Sequence, residues 1–555
     1  MKPRWFLEAI GASVFLLLPY LCPLLMSDHL LIYHHQLPLT NLIGGLLLDV
    51  LGLFLLGVSL LTLLARISPL AGGIVSASLT GLFISRILGT ALFLLNMSYG
   101  GQSDGFSVTR HHFLLDSIDK WWYTYSHPIL VASVALLAIL AWTKPGSTDS
   151  LVRTIRLGLT AFAFCAFWII SQLLYMGFVV RGVPSFDRSL AQRDSGSSKR
   201  IVWILFDELS YNLTFDHPPS GQQFINFQRL RSESTSLGNI KPVGIYTENI
   251  IPSLLAGREI DQIRSTFEGK LLNPDSDRTR EVSYDPNRTL FEEAKTNGWN
   301  PGVAGWYNPY CRIFADVLTS CSWVGGIWVR IPLLEANGAS EDKSVLANSL
   351  VLPRALLAKF HSQKKGMSSE LLKRNIQDYR SIMTGAQNLI QNGQIHFVFI
   401  HLPVPHPPGI YNRRTHQLSE GGNYLDNLAL ADDTLGALIR EIDRTPSASE
   451  TTIIISSDHS WRVPLWRTGP DWTQEEERVS LGQFDERPVF LVHFPGQKSG
   501  NEVFTSTPEL IEHGIVESML QGQIESPKNL DAFLLSSAGH SSEHAALRGQ
   551  SKARY

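Results

Sequence analysis

Two hydrophobic runs in this chain end in side chains able to hold a metal ion. Ile201-Val-Trp-Ile-Leu-Phe leads into Asp207 and Glu208, and Thr452-Ile-Ile-Ile-Ser-Ser leads into Asp458 and His459. Aliphatic residues on both faces mark strands inside a parallel sheet, and the C-terminal ends of such strands are where open α/β folds place their ligands. Carboxylates and an imidazole gathered from two adjacent strand ends would bind a divalent cation. Between the runs lies Tyr246-Thr247-Glu-Asn-Ile-Ile-Pro252-Ser253, read as a polar turn that leads through the proline into a short helix. Free N–H groups at that helix start could receive an anionic oxygen, and a hydroxyl held by the cation would be a better nucleophile. A further strand, Gln394 to His401, runs into a Pro-rich turn carrying His406. That turn predicts an exposed His406, suited to touch a phosphate or sulfate oxygen or to protonate a leaving group. His401 is read either as a core histidine or as part of the same sheet edge.

The elements that must position these groups sit in a chain of two different halves. With 47 basic and 50 acidic residues in 555, the charge balance gives no sign of a nucleic-acid partner. Up to Val180 charges are sparse, and about five runs have membrane-crossing length: Trp5 to Met26, Leu42 to Leu64, Leu70 to Leu95, Tyr125 to Trp142 and Leu157 to Val180. Lys2, Arg4, Arg66, Lys144, Arg153 and Arg156 would then share the cytoplasmic side, which sends the C-terminal half to the periplasm or the cell exterior. A cleaved signal peptide is the competing reading of the first run, but no small-residue cleavage site follows it. Asp49 and Arg86 lie inside runs at similar depth and are read as an ion pair, with a lipid-headgroup site as the alternative. Gly105 to Tyr125 reads as an interfacial aromatic belt.

From Arg181 to Arg200 the chain reads as a polar linker, from 201 to 535 as one exported catalytic domain, and from 536 to 555 as a disordered tail. Strand patterns at Ile201 to Phe206, Gln394 to His401, Thr451 to Ser457 and Pro488 to Phe494 alternate with helical ones near Leu290 to Asn297, Leu425 to Thr445 and Pro508 to Gln521. That alternation predicts a three-layer α/β/α sandwich. Cys311 and Cys321 fall in the exported half, where an oxidising compartment favours a disulfide over zinc ligation. Arg312 beside them is available to an anion, or belongs to a disulfide-pinned loop.

These motifs together resemble the sulfatase and alkaline-phosphatase superfamily, in the membrane-anchored branch that includes lipoteichoic-acid synthase and phosphoethanolamine transferases. Phe-Asp207-Glu208 resembles the first metal motif, Ser-Asp458-His459-Ser the Ser-Asp-His-Gly motif, and His401-Leu-Pro-Val-Pro-His406-Pro-Pro the substrate-histidine motif. The resemblance implies a multi-span membrane domain followed by a sulfatase-like domain. It also implies a divalent metal, Zn or Mn first and Ca or Mg as alternatives, held by Asp207, Thr247, Asp458 and His459. Ile250 stands where formylglycine sulfatases carry Cys or Ser, whereas Thr247 matches the nucleophile of the phosphoethanolamine transferases; Ser253 is the reserve. Ser460 replaces a common Gly, and no His shortly downstream matches a second metal ligand. Glu208 matches the second acid of sulfatases, which the transferases lack, and Asn423, Tyr424 and Asp432 match packing residues.

The function so implied is transfer of a phosphoethanolamine or phosphoglycerol head group from a membrane lipid to an envelope glycan or lipid. The route would run through a phospho-threonine. A membrane-tethered sulfatase or phosphodiesterase acting without formylglycine is one alternative, and a catalytically inactive membrane scaffold is another.

Overall fold

The computed structural model describes residues 3–25, 40–64, 134–179, 185–188, 199–266, 270–274, 280–325, 369–467, 471–481 and 485–537, with a few isolated positions. The chain divides into two units.

In the first, α1 (Pro3–Leu25), α2 (Thr40–Leu64) and α3 (Pro145–Val179) are described. Two stretches, Ile43–Leu63 and Asp149–Met176, are long and apolar enough to cross a membrane. Most of the expected run Leu70 to Leu95, the first seven residues of Tyr125 to Trp142, the aromatic belt and Arg86 lie outside the described residues. One charge inside the first run escaped the sequence reading. Glu8 is buried, accepts Arg4 Nε at 2.9 Å and pairs with Arg156 Nη2 at 2.7 Å. Close backbone approach makes that pairing possible: a Cβ on Gly11 would lie 2.1 Å from the Leu159 carbonyl oxygen, so α1 and α3 touch where only glycine fits.

The second unit is built on a mixed sheet whose described strands are β1 (Phe186–Asp187), β2 (Arg200–Asp207), β3 (Thr235–Leu237), β4 (Pro301–Trp306), β5 (Ser320–Val324), β6 (Phe397–Pro405), β7 (Thr451–Ser457), β8 (Phe490–His493) and β9 (Asn501–Val503), in the order β1-β5-β4-β6-β2-β7-β8-β3-β9. β2 lies between β6 and β7, parallel to both, with His401 opposite Leu205 and Ser457 opposite Phe206. Every residue of β2 is buried, and its two faces feed separate cores. Val202, Ile204 and Phe206 pack on one side with residues of α7 (Ser369–Gln391) and α8 (Tyr424–Asp443). Ile201, Trp203 and Leu205 pack on the other with α5 (Thr247–Ala256), α6 (Leu290–Thr296) and α9 (Ile511–Leu520); α4 (Ile225–Ser232) joins the first side. A strand apolar on both faces is what a sheet covered by helices on both sides requires. Arg200, first in β2, donates to the carbonyls of Ile390 at 2.5 Å and Leu389 at 2.6 Å, capping the C-terminal end of α7.

Local differences from the sequence reading have local causes. The expected linker contributes Phe186–Asp187 as an edge strand against Ser320 and Cys321, anchored because Phe186 packs on the core. The strand expected to stop at His401 continues to Pro405, since a register shift between Leu402 and Pro405 absorbs the prolines that cannot donate to the ladder. The helix expected to begin at Pro252 begins at Thr247, with the proline inside it. Pro252 falls in the second turn, where its missing N–H costs one bond to the first turn, and the helix ends on Gly257 in the left-handed region. Residues 536 and 537, assigned to the tail, close a helical stretch over 527–537.

Candidate metal and nucleophile site

Two parallel strand ends, the middle of a third parallel strand and one helix start meet at a single point. Asp207 ends β2, His401 lies within β6, Asp458 and His459 follow β7, and Thr247 opens α5. All five are buried. The Thr247 hydroxyl donates to Asp458 Oδ2 at 2.7 Å and lies 3.4 Å from both Asp207 Oδ2 and His459 Nε2. Because Tyr246 occupies the N-cap and no side chain caps the helix, the Thr247 hydroxyl turns into the cluster and not onto the helix backbone.

The other hydrogen bonds fix which atoms face inward. Asp458 Oδ1 is taken by the backbone N–H groups of His459 at 2.9 Å and Glu208 at 3.2 Å, leaving Oδ2 for Thr247. His459 Nδ1 lies 3.0 Å from the Ser460 carbonyl, which only accepts, so Nδ1 carries the proton and the Nε2 lone pair points at Asp458 Oδ2, 3.2 Å away. His401 is held from behind by the Tyr310 hydroxyl, 2.8 Å from Nδ1, and its Nε2 stands 3.6 Å from Asp207 Oδ2.

Burial dominates the electrostatics. Desolvation pushes Asp207 well above the usual carboxylate range and raises Asp458 to about 8, with the neighbouring Asp207 charge adding to the latter. Desolvation also lowers His401 to about 4 and holds His459 and His406 well below their ordinary values. Neutral imidazoles are the protonation state a cation site needs, and the raised carboxyls are what buried acids show until a cation offsets their charge. Asp207 Oδ1 and His401 Nε2 have no hydrogen-bond partner among the described residues, although both are buried. One ligand atom each from Asp207, His401 and Asp458 falls within a 4.8 Å group. Unpartnered buried oxygen and nitrogen atoms, converging with hard and borderline ligands, fit a divalent cation. His401, left between two readings by the sequence, thus stands in the ligand cluster.

Glu208 takes a different direction from Asp207. Its φ is +65°, a left-handed conformation that a non-glycine residue adopts at a cost, and such strain concentrates at functional sites. The turn sends its carboxylate to Arg462 Nε at 2.5 Å and to Trp466 Nε1, 2.9 Å from each oxygen, while its carbonyl accepts the Tyr424 hydroxyl at 2.8 Å. Arg462 Nη2 in turn donates to His406 Nε2 at 3.1 Å. His406 corrects the expectation of an exposed turn: it is 6% exposed, wedged edge-on between the rings of Trp306 and Trp466, because the register shift in β6 folds the proline segment back over the sheet. Sequence reasoning missed Arg462 and Trp466, and read Tyr310 only as part of a possible substrate wall and not as the partner of His401. Arg462 follows His459 by three positions, so a lone basic residue just past the motif was the available signal.

Ser253, Ile250, Asn423 and Asp432 are structural in their contacts. Ser253 donates to the Asn249 carbonyl at 2.7 Å and accepts the Ile260 N–H at 2.9 Å, and Ile250 is fully buried in the core. The Cys311 and Cys321 sulfurs are bonded at 2.07 Å, with Arg312 on the adjoining short helix Tyr310–Ile313. Asn423 caps α8 in a capping box with Asp426, and Asp432 accepts the Phe227 N–H at 2.8 Å.

The sulfatase family profile matches residues 199–515, more than half of the chain and all of the site just described. The chain belongs to the sulfatase family. Solved structures similar to this chain include Ps i-CgsB in complex with k-i-k-neocarrahexaose, at 14% identity over 60% of this chain and 74% of that one with a TM-score of 0.39. The lipoteichoic acid synthase LtaP from Listeria monocytogenes matches at 13% identity over 58% and 72%, with a TM-score of 0.34. The phosphonate monoester hydrolase of Agrobacterium radiobacter matches at 12% over 58% and 74%, with a TM-score of 0.35. No curated protein matches.

Proposed function

We propose that this sulfatase-family enzyme is membrane-anchored and moves a phospho-head group from a lipid to an envelope glycan or lipid through a phosphorylated Thr247. The observation that carries the reading is the Thr247 hydroxyl, 2.7 Å from Asp458 Oδ2 and 3.4 Å from both Asp207 and His459 at the start of a helix. Two stretches of membrane-crossing length support the anchor and suit a donor confined to the bilayer. Asp207, Asp458 and the two histidines would hold the cation, Zn or Mn by their donor set, with Thr247 beside them. When bound, that cation lowers the pKa of a neighbouring hydroxyl and neutralises charge on a phosphoryl group.

The chain's own residues then divide the work. Asp458 Oδ2 is placed to accept the Thr247 proton as the Thr247 oxygen forms its bond to phosphorus. The bond from phosphorus to the lipid oxygen breaks, and the departing diacylglycerol oxygen takes up that proton. In the second half an acceptor hydroxyl forms the new bond to phosphorus, the Thr247–phosphorus bond breaks, and the acceptor's proton returns to Thr247. The amide end of α5 faces the charge that builds on phosphoryl oxygens in both halves.

Intact-mass spectrometry after exposure to labelled phosphatidylethanolamine or phosphatidylglycerol tests the reading. An adduct of one head-group mass on Thr247, absent from Thr247→Ala, is the expected result. Head-group release as a free phosphomonoester, with no transfer to any added hydroxyl acceptor, would make the enzyme a hydrolase; consumption of an aryl sulfate and neither lipid would remove the phospho-transfer reading.

A further inference from the structure

We infer that Arg462 is the residue that binds a non-bridging oxygen of the phosphoryl group, and that Glu208 serves the site by positioning it and not by binding metal. The inference rests on the phospho-transfer reading of the same site.

A guanidinium has five N–H donors in a rigid fork. In this structure Arg462 gives Nε–H to Glu208 at 2.5 Å, one Nη1–H to the Ile245 carbonyl at 3.1 Å and one Nη2–H to His406 Nε2 at 3.1 Å. One N–H on each terminal nitrogen therefore has no acceptor among the described residues. A guanidinium present only to neutralise Glu208 would close its fork on both carboxylate oxygens. Here Trp466 Nε1 shares that carboxylate instead, reaching both oxygens at 2.9 Å and releasing the far edge of Arg462. The side chain keeps 18% exposure while Glu208 keeps none, so the donor is reachable and its anchor is not.

Position supports the same role. Ile245 is two residues before Thr247, and Arg462 is three residues after His459, so the guanidinium ties the nucleophile segment to the metal-ligand segment. His406, which takes its Nη2–H, lines a recess with Trp306 and Pro407. Glu208 would be a natural metal ligand by sequence, but its left-handed backbone and its two donors aim the carboxylate away from Asp207 and Asp458. The outcome is one fixed positive charge among several buried acids. An incoming phosphoryl oxygen can complete the fork with charge-assisted bonds.

The test uses the full chain in detergent, loaded with Mn(II), with inorganic phosphate as probe, calorimetry as readout and elemental analysis for metal content. Arg462→Ala is expected to keep wild-type metal content and to bind phosphate on the order of 10- to 100-fold more weakly. Glu208→Gln is expected to keep its metal and weaken phosphate less, and to add nothing when combined with Arg462→Ala, because both act through one guanidinium. If Arg462→Ala fails to fold, Arg462→Lys decides: it retains charge without the fork, and weaker phosphate binding is expected. Wild-type affinity for phosphate in Arg462→Ala or Arg462→Lys would overturn the inference, and so would loss of metal from Glu208→Gln. A metal-loaded wild type that binds no phosphate would instead remove the phosphoryl reading of the site itself.

Discussion

Thr247 and Asp458 are separated by 211 positions in the chain and by 2.7 Å in space, joined by a hydrogen bond from the threonine hydroxyl to Oδ2. The other oxygen of Asp458 is occupied by two backbone N–H groups, so rotation of the carboxylate is blocked. The proposed nucleophile and its proposed proton acceptor are thus oriented by the folded backbone before any substrate arrives.

Removing the hydroxyl should abolish group transfer with little effect on the fold. Thr247→Ala is expected to lower turnover by at least roughly 10³-fold, while Thr247→Ser retains measurable activity. Covalent-adduct formation by mass spectrometry and circular dichroism together check both halves. Wild-type turnover in Thr247→Ala would assign the nucleophile elsewhere.

Asp458→Asn and Asp207→Asn should each strip the cation, since each removes a buried carboxylate from a cluster that otherwise lacks partners for Asp207 Oδ1 and His401 Nε2. Elemental analysis of the purified chain should show less than stoichiometric metal in both variants and a full complement in the parent.

Tyr310→Phe tests orientation of a ligand from outside the cluster. The hydroxyl sits 2.8 Å from His401 Nδ1 and holds the ring with Nε2 toward Asp207. Metal affinity should fall on the order of 10- to 100-fold while the fold persists, measured by competition with a chelating dye.

The pH dependence of stability should have opposite character with and without metal. Asp458 moves from an ordinary value of 3.8 to about 8 in the folded, metal-free chain. Between those values the native state holds a proton that the unfolded state has released, so stability is greatest below the lower value and falls as pH rises toward 8. Thermal melts of chelator-treated protein should therefore drop between pH 5 and pH 8, and added Zn(II) or Mn(II) should raise the melting temperature more at pH 8 than at pH 5. Metal-free melts that climb over that window would contradict the burial of an unpaired carboxylate.

The buried Cys311–Cys321 bond closes a short loop beside Tyr310, the residue that steadies His401. Replacing both cysteines with serine should cost on the order of 2–3 kcal/mol of stability, read by denaturant unfolding of the oxidised parent and the variant. A larger fall in metal affinity than in Tyr310→Phe would show that the loop positions more than the tyrosine.

The one-dimensional pattern determined a good deal. Strands with apolar residues on both faces could lie only between two helix layers, and β2, β6 and β7 do so because their alternating side chains have two cores to fill. Acids placed directly after such strands had to emerge at the same sheet edge, which is why Asp207 and Asp458 were readable as partners. Helices in apolar runs were readable too, since length and composition are local properties: α1 and α2 begin and end within two residues of expectation, whereas α3 begins twelve residues before the expected run, and two of the expected runs overlap a stretch of membrane-crossing length.

Tertiary structure alone decided which groups face one another. Thr247 became an N-terminal helix residue because helix initiation was settled by packing of Ile250, Ile251 and Leu254 on the sheet and not by the proline. His406 became buried through a register shift that no residue pattern announces. Glu208, which the sequence matched to the second acid of sulfatases, faces Arg462 and Trp466 through a left-handed backbone angle. Glu8 found Arg156 in another helix through a glycine contact. Periodicity specifies the face a side chain occupies; which partner it meets there depends on pairings across hundreds of residues and on single dihedral angles, and those exist only in the folded chain.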